Sequence, residues 1–249
     1  MSVYYDMLKK INYFICCFFL SFLLVNEESI ASDESRLLNV NFVVLTNKTN
    51  ISNNIDLKQL KNEIYILNKY FITKNRDKIF DFKFKAAFFY KDIDGSQCEF
   101  LKYGDIKEYD SIEASELYWK CKDKRIRDPF AINFYIVDSY SKKKGYKSIT
   151  SHGKNAGNHP FVLIDWQRLN HKVQSPEEHE MGHAFGLTHV CNPNAKITTE
   201  TNIMASRENC KGSGGLRNVG FNDSQQKIIN TTYRKIMRRF NSNKRILED

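Results

Sequence analysis

Three of the six histidines of this chain fall between positions 179 and 189, and their spacing is what most restricts how the chain can fold. His179 and His183 are four positions apart, so an α-helix would place them on one face, one turn apart. Glu180 would be rotated by about 100° from His179, beside that pair rather than in line with it. A helix in this segment therefore presents two imidazoles with a carboxylate next to them.

The third histidine does not fit a continuous helix. Six further residues would rotate His189 by about 240° from His183, away from the first pair. The three imidazoles meet only if the helix ends between them, and Gly186 suits such an end because glycine readily adopts the left-handed conformation. Ser175 and Glu178 form a capping box that predicts the start of this helix. We therefore predict a short helix, a turn at the glycine and a returning histidine.

Three neutral imidazoles that leave a fourth position open are typical of a catalytic zinc site, not of a closed structural one. Zinc lowers the pKa of a bound water to about 7 and polarises a carbonyl oxygen. A carboxylate beside that water can accept its proton and return it to a leaving amine. The motif thus predicts peptide-bond hydrolysis, with one zinc ion held by His179, His183 and His189 and with Glu180 as the catalytic base.

The complete pattern, histidine-glutamate-x-x-histidine-x-x-glycine-x-x-histidine, resembles the signature of the metzincin zinc endopeptidases. That family also has a methionine turn, and Met204 in TNIMAS follows His189 at a suitable distance. The resemblance implies that Met204 forms a hydrophobic floor under the zinc ligands without binding the ion. Ser206 stands where astacin- and serralysin-like members carry a further tyrosine ligand. The motifs assign no subfamily, and the segment resembles matrixin- or pappalysin-like secreted enzymes.

Hydrophobic periodicity predicts an α+β fold. Apolar residues alternate in 37–45, 80–84 and 131–137, and a continuous apolar run at 161–166 is typical of a strand covered on both faces. Helix-start signals occur at Asp56 with Gln59 and at Asp223 with Gln226. The polar segment 145–153 is predicted to be an edge strand, and the resemblance implies that it pairs with extended substrate. The resemblance further implies a zincin-like fold: a twisted mixed five-stranded sheet with an antiparallel edge strand, an active-site helix and a C-terminal helix.

The N-terminus has the pattern of a signal peptide. Two lysines precede an uncharged stretch at 11–25, which is shorter than the roughly 20 apolar residues of a membrane-spanning helix, and a small-x-small cleavage site ends at Ala31. An uncleaved signal anchor is the alternative. We expect a secreted protein, extracellular or periplasmic. The predicted units are a signal peptide (1–31) and one catalytic domain (32–249) with an N-terminal subdomain (36–189) and a small C-terminal subdomain (190–249).

Four cysteines follow the predicted signal peptide, and an even number in an exported chain predicts disulfide bonds. Four cysteines allow three pairings. Proximity in the sequence favours Cys98 with Cys121 and Cys191 with Cys210. The second pair brackets Met204 and would hold the methionine turn in place.

The formal charge of +9 and the basic clusters at 122–127, 142–144 and 234–239 constrain the partners. A basic surface favours anionic glycans, anionic membrane surfaces or acidic substrates, and export argues against nucleic acid. The alternative is a solvated surface that only aids solubility. We expect a monomer that acts on a protein or peptide substrate.

The sequence leaves two further interpretations open. The alternative function is a secreted, catalytically inactive zinc-containing module that binds peptide or glycan, and the presence of Glu180 argues against it. His152, His159 and His171 lie outside the motif and are interpreted as surface or loop residues, although His152 or His159 would reach the cleft if 145–160 formed its rim.

Overall fold

Five strands form one mixed sheet in the computed structural model of the protein, which describes residues 36–45, 55–89, 121–137, 151–169, 176–208 and 210–248. Their order across the sheet is β2-β1-β3-β5-β4. Strands β2, β1, β3 and β5 are parallel to one another, and β4 is antiparallel to β5. The predicted α+β class, with five strands and an antiparallel edge strand, is confirmed. The strands are β1 (Leu37–Val44), β2 (Asp81–Phe89), β3 (Ile132–Val137), β4 (Ser151–Ala156) and β5 (His159–Asp165).

The edge strand β4 joins β5 through a tight turn at Gly157 and Asn158. Both turn residues have positive φ angles, 57° and 65°, as a two-residue type I′ hairpin requires. Ala156 pairs with His159 directly beside the turn. The predicted edge strand at 145–153 thus begins in the described residues at Ser151 and continues to Ala156, while 145–150 lie outside them. Among the strands that the structure describes, β4 ends the sheet order, so it is an edge strand.

In the part of the chain that the structure describes, the α-helices are α1 (Leu57–Tyr70), α2 (Pro176–Ala184) and α3 (Asp223–Glu248). The Asp56 side chain accepts a hydrogen bond from the Gln59 amide at 2.7 Å, so the predicted cap of α1 is confirmed. The α3 helix begins at Asp223, as the sequence predicts. Within the described residues, the elements in order are a strand, a helix, four strands and two helices.

Aromatic packing joins the three helices beneath the sheet. The ring centroid of Phe71, just after α1, lies 4.7 Å from that of Phe221 and 5.7 Å from that of Phe185. Phe80 lies 5.1 Å from Phe185 and 5.0 Å from Tyr233 of α3. These rings fix the end of α2, where the histidine motif turns, against the start of α3.

The opposite face of the sheet carries a second buried cluster, which includes Val43, Tyr135, Phe161 and Leu163. Every residue of β5 is buried, so the prediction that 161–166 is covered on both faces holds for 161–165. Trp166 is half-buried and packs against the first cluster.

The chain from Leu37 to Asp249 forms one compact unit. Among the described residues, no helix combines the length and apolar character needed to span a membrane. The predicted signal peptide, residues 1–31, lies outside the described residues. Its cleavage, and the division into subdomains at residue 190, stay predictions.

Candidate metal centre

The short helix α2 provides the first two histidines and ends where the sequence predicts. Gly186 has φ +88°. Its amide donates to the His183 carbonyl at 2.8 Å, and the Leu187 amide donates to the Gly182 carbonyl at 3.0 Å. This pair of bonds is the Schellman motif, in which a left-handed glycine closes a helix and satisfies its last carbonyls. The chain then turns back and brings His189 to the other two histidines.

The three imidazoles converge through their Nε2 atoms. The separations are 3.2 Å between His179 and His183, 3.3 Å between His179 and His189, and 3.1 Å between His183 and His189. Nitrogen ligands at about 2.0–2.1 Å in a tetrahedral zinc site lie about 3.3–3.4 Å from one another. The observed spacing therefore fits three ligands of a single ion. Within the described parts of the chain, no fourth His, Cys, Asp or Glu joins this group.

Each ring is oriented by a contact at its other nitrogen. Nδ1 of His179 lies 2.7 Å from the Ile203 carbonyl, and Nδ1 of His183 lies 2.7 Å from the Leu187 carbonyl. Nδ1 of His189 lies 3.1 Å from a carboxylate oxygen of Glu208. Because these oxygens accept, each Nδ1 carries the proton and each Nε2 presents an unprotonated lone pair. Three lone pairs pointing at one place are suited to a metal ion.

Burial keeps these imidazoles neutral. It is the main cause that lowers the pKa of His179 well below its usual value, and it also lowers the pKa of His183 and His189. The positive charge of Arg217 lowers the pKa of all three further. Since metal ligation needs the deprotonated ring, the site is prepared for a cation near neutral pH.

Glu180 is held by the edge strand. Its Oε1 accepts a hydrogen bond from the Ser151 hydroxyl at 2.8 Å, and its Oε2 accepts one from the Gly153 amide at 3.0 Å. Arg168 in turn donates to the Ser151 hydroxyl oxygen. The side chain is 4% exposed, and this burial raises the pKa of Glu180 while the Ser151 bond and Arg168 oppose the rise.

Met204 lies fully buried against α2. A Cβ atom added to Gly182 would lie 2.4 Å from its Sδ atom, so the methionine occupies space that only a glycine leaves open. The Met204 carbonyl accepts from the Val190 amide at 2.8 Å, which ties the methionine turn to the residue after His189. Ser206 is buried, and its hydroxyl accepts a hydrogen bond from the Glu208 amide.

The predicted disulfide between Cys191 and Cys210 is present. It closes the segment that contains the methionine turn and starts two residues after His189. Cys121 is also disulfide-bonded, and Cys98, its predicted partner, lies outside the described residues.

The remaining histidines depart in part from their interpretation as surface or loop residues. His152 is half-buried on β4, and burial, followed by the charges of Lys154 and His183, lowers its pKa to about 4. It therefore lies at the rim of the site. His159 is not a surface residue: it is 5% exposed, because the tight hairpin directs it to its partner strand, with Nδ1 3.2 Å from the Ala156 carbonyl. His171 lies outside the described residues.

Prediction from the sequence missed several groups that act on the motif. Ser151, Gly153 and Glu208 contact it, Arg168 contacts Ser151, and the charge of Arg217 lowers the pKa of its histidines. No local pattern marks them, because they reach the site through the pairing of β4 with β5 and through the loops after α2. It also missed that Glu177, in the first turn of α2, is buried beside Glu63 of α1.

Comparison with known proteins adds little. No protein-family model and no curated protein matches the chain. Among solved structures, the archaemetzincin from Methanopyrus kandleri is similar, with 12% sequence identity and a TM-score of 0.43 over 82% of this chain and 99% of that one. A likeness at this TM-score carries no argument about fold or activity, so the functional conclusion depends on the motif and the geometry above.

Proposed function

We propose that the protein is an exported zinc-dependent metalloendopeptidase of the metzincin type. One observation carries the proposal: the Nε2 atoms of the three histidines lie 3.1–3.3 Å from one another. Glu180, the residue after the first histidine, gives the same helix a carboxylate. The signature resemblance and Met204 beneath α2 support the metzincin type, whereas nothing in the structure favours a matrixin- or pappalysin-like subfamily.

The histidines and Glu180 would have separate roles in peptide hydrolysis. His179, His183 and His189 would hold the zinc ion, which when bound polarises a peptide carbonyl and acidifies a water molecule. Glu180 would accept the proton of the attacking water and deliver it to the leaving nitrogen. Each of its oxygens has a second lone pair beyond the bond to β4. The raised pKa of Glu180 strengthens it as a base.

Substrate would bind along β4. Among the described strands, β4 stands last in the sheet order, and an extended peptide can add to an edge strand through main-chain hydrogen bonds. The proposed substrate is therefore a protein or peptide in extended conformation. Export through residues 1–31, a monomeric state and contacts with anionic glycans or membranes belong to the same proposal.

The direct test is hydrolysis of casein or gelatin by the purified protein. We expect cleavage that a chelator abolishes and added zinc restores. Glu180→Gln should lower the rate by about 10²–10⁴ while one zinc ion per chain is still bound, since this residue is not a ligand. Cleavage that survives Glu180→Gln would exclude the mechanism.

A binding module without activity is the second candidate, and one observation favours it. Both oxygens of Glu180 already accept hydrogen bonds from β4, which would restrain a base that must exchange protons. Under this alternative the protein binds zinc and an extended peptide but cleaves neither casein nor gelatin. Glu180→Gln then leaves peptide binding unchanged.

A further inference from the structure

We propose that Ser151 and Arg168 are positioning residues, which hold the Glu180 carboxylate in the orientation that peptide hydrolysis requires. This inference rests on the proposed peptidase function. Its basis is a chain of contacts from the Arg168 guanidinium to the Ser151 hydroxyl, and from that hydroxyl to Oε1 of Glu180 at 2.8 Å.

The chain of contacts has a direction. A serine hydroxyl carries one proton and two acceptor lone pairs, whereas a guanidinium only donates. Because Arg168 donates to the Ser151 oxygen, the hydroxyl proton is left for the carboxylate. Arg168 thus fixes the rotation of the hydroxyl, and the hydroxyl fixes one oxygen of Glu180. The guanidinium also brings positive charge towards a carboxylate that burial would otherwise destabilise.

The second oxygen of Glu180 is held by the same strand. Its partner is the Gly153 amide at 3.0 Å, and β4 approaches α2 so closely that a Cβ at Gly153 would lie 1.5 Å from the Glu180 carbonyl oxygen. The strand proposed to pair with substrate is therefore also the strand that orients the base. Peptide bound at the edge and the carboxylate are positioned by one element, which favours a reactive arrangement.

A positioning role predicts an effect on kcat rather than on KM. Ser151→Ala should lower kcat about 10–100-fold, because one oxygen of Glu180 loses its hydrogen bond and the carboxylate is no longer aligned. KM and the zinc content should stay within twofold of the unchanged protein. Arg168→Gln should lower kcat by a similar factor, and Arg168→Lys should restore part of it. Ser224→Ala, which removes an exposed hydroxyl at the start of α3, is the matched control.

Non-additivity separates positioning from general destabilisation. Because Arg168 acts through Ser151, the double variant should have nearly the kcat of Ser151→Ala alone. Independent structural damage would instead multiply the two losses and lower Tm in parallel. Multiplied losses, or an unchanged kcat for Ser151→Ala, would overturn the positioning role while the peptidase stands. A wild-type protein that cleaves no peptide would overturn the proposed function itself.

A different surface carries a second inference, which does not depend on peptidase activity. We infer that α3 binds a linear acidic polysaccharide along a cationic ridge made of Lys227, Arg234, Arg238 and Arg245. All four side chains are exposed. At 100° per residue they fall within about 20° of one line over about 27 Å of helix. Ile229 and Ile236, on the opposite side, are fully buried.

Ion pairs within the helix do not explain the charge pattern of α3. Between Asp223 and Glu248 the helix contains no acidic residue, and the like charges of Arg234 and Arg238 at i,i+4 cost about 0.2–0.5 kcal/mol. An anionic ligand would offset this repulsion. Three of the four ridge cations are arginines, whose planar donors match sulfate and carboxylate groups in bidentate fashion.

The structure favours a polysaccharide over other polyanions. The apolar face of α3 is occupied by the core, so the helix cannot bury that face in a membrane. Tyr233 packs against Phe80 with centroids 5.0 Å apart, so it is not displayed as a stacking platform for bases. Charge along a line, without insertion or stacking, matches a sulfated or carboxylated sugar chain.

Heparin fragments serve as the probe in a titration of the full chain at several salt concentrations. Arg234→Glu with Arg238→Glu should weaken binding at least tenfold. Lys58→Glu with Lys61→Glu, which changes the net charge equally on exposed positions of α1, should change it less than twofold. Equal losses in both variants would show that binding depends on the net charge of the protein and not on the ridge. Tighter binding of anionic vesicles or of duplex DNA than of heparin would also overturn the inference.

Discussion

The two halves of the candidate metal centre are built in different ways. His179 and His183 lie on a regular helix, and their relation follows from one turn of that helix. His189 and Met204 lie in a segment without helix or strand, held by isolated bridges such as that between Val190 and Ala205 and by a disulfide. The first half is specified locally, whereas the second depends on contacts between distant positions.

The irregular half nevertheless orients the regular one. The Ile203 carbonyl holds His179 from 24 positions away, and Leu187, just after the helix end, holds His183. Met204 fills the space that Gly182 leaves open on α2. The helix therefore supplies the spacing of two ligands, and the loop supplies the protonation pattern that makes them ligands. Loosening the loop should impair the whole centre.

The largest effect is expected from removing the disulfide. Cys191→Ser with Cys210→Ser opens a loop with a sequence separation of 19, and closing such a loop contributes about 3 kcal/mol. We expect Tm to fall by about 2–4 °C per kcal/mol. Zinc affinity should fall at least tenfold, because His189 is two residues from the bridge. Chelator competition measures this affinity.

A variant that loses stability but keeps its zinc affinity would contradict this expectation. In that case the loop would be held adequately by its hydrogen bonds alone. Ser213→Ala, which removes a hydroxyl that donates to the Ala195 carbonyl in the same region, is the control for minor loop damage.

Gly182 within α2 and Gly186 just after it separate the effects of space and of backbone conformation. Gly182 has no room for a Cβ beside Met204, whereas at Gly186 the nearest atom would be 3.8 Å away but φ is +88°. Gly182→Ala should cost about 1–3 kcal/mol through overpacking and displace the methionine. Gly186→Ala should cost about 1–2 kcal/mol through the backbone alone.

The readout is urea unfolding together with zinc affinity. Gly186→Asn tests the backbone explanation, since asparagine tolerates the left-handed region better than alanine and should recover stability. Met204→Ala in the Gly182→Ala background should relieve the crowding. If it does not, crowding against Met204 is not the cause of the stability lost in Gly182→Ala.

Prediction from the sequence succeeded where the signal is local. The helical spacing of His179 and His183, the turn at Gly186 and the cap at Asp56 each depend on a few neighbouring residues, and each appears as predicted. The pairing of Cys191 with Cys210 followed from proximity. Strand existence and type followed from alternation and apolar runs.

Prediction failed where the partners are far apart in the chain. The contacts of Glu180 with Ser151 and Gly153 span 29 and 27 positions and depend on β4 lying at the edge beside α2. Glu63 and Glu177 meet because α1 packs on α2. A pattern of apolar residues shows which face of an element is buried, but it does not show which residue of another element lies opposite.

The Glu63–Glu177 pair gives a pH test of the helical half. Burial, and then the neighbouring Glu63 carboxyl, raise the pKa of Glu177 well above its usual value. A raised carboxyl pKa means that stability is complete below about pH 4.5 and is lost as pH rises through the folded pKa. Glu63→Gln should therefore raise Tm at pH 7–8, and the gain should vanish near pH 4.

The metal-free protein is the proper sample, with Tm of both proteins measured at each pH. The difference between them isolates the pair from the histidines, whose lowered pKa values reduce stability as pH falls below about 6.5. A gain that is equal at pH 4 and pH 8 would mean that packing, not charge, explains the effect of the substitution.

The smallest effect is expected at the cap of α1, which touches neither half of the centre. Asp56→Ala removes the bond to the Gln59 amide and should cost about 1 kcal/mol, with Tm lower by about 2–4 °C. Zinc affinity should not change, since the ligands are fixed by α2 and by the loop tied through Cys191 and Cys210. Asp56→Asn should retain most of the stability because asparagine also caps helices. If Asp56→Ala weakened zinc binding as much as loss of the disulfide does, the stability of the whole domain would govern the site, and the contrast between its two halves would disappear.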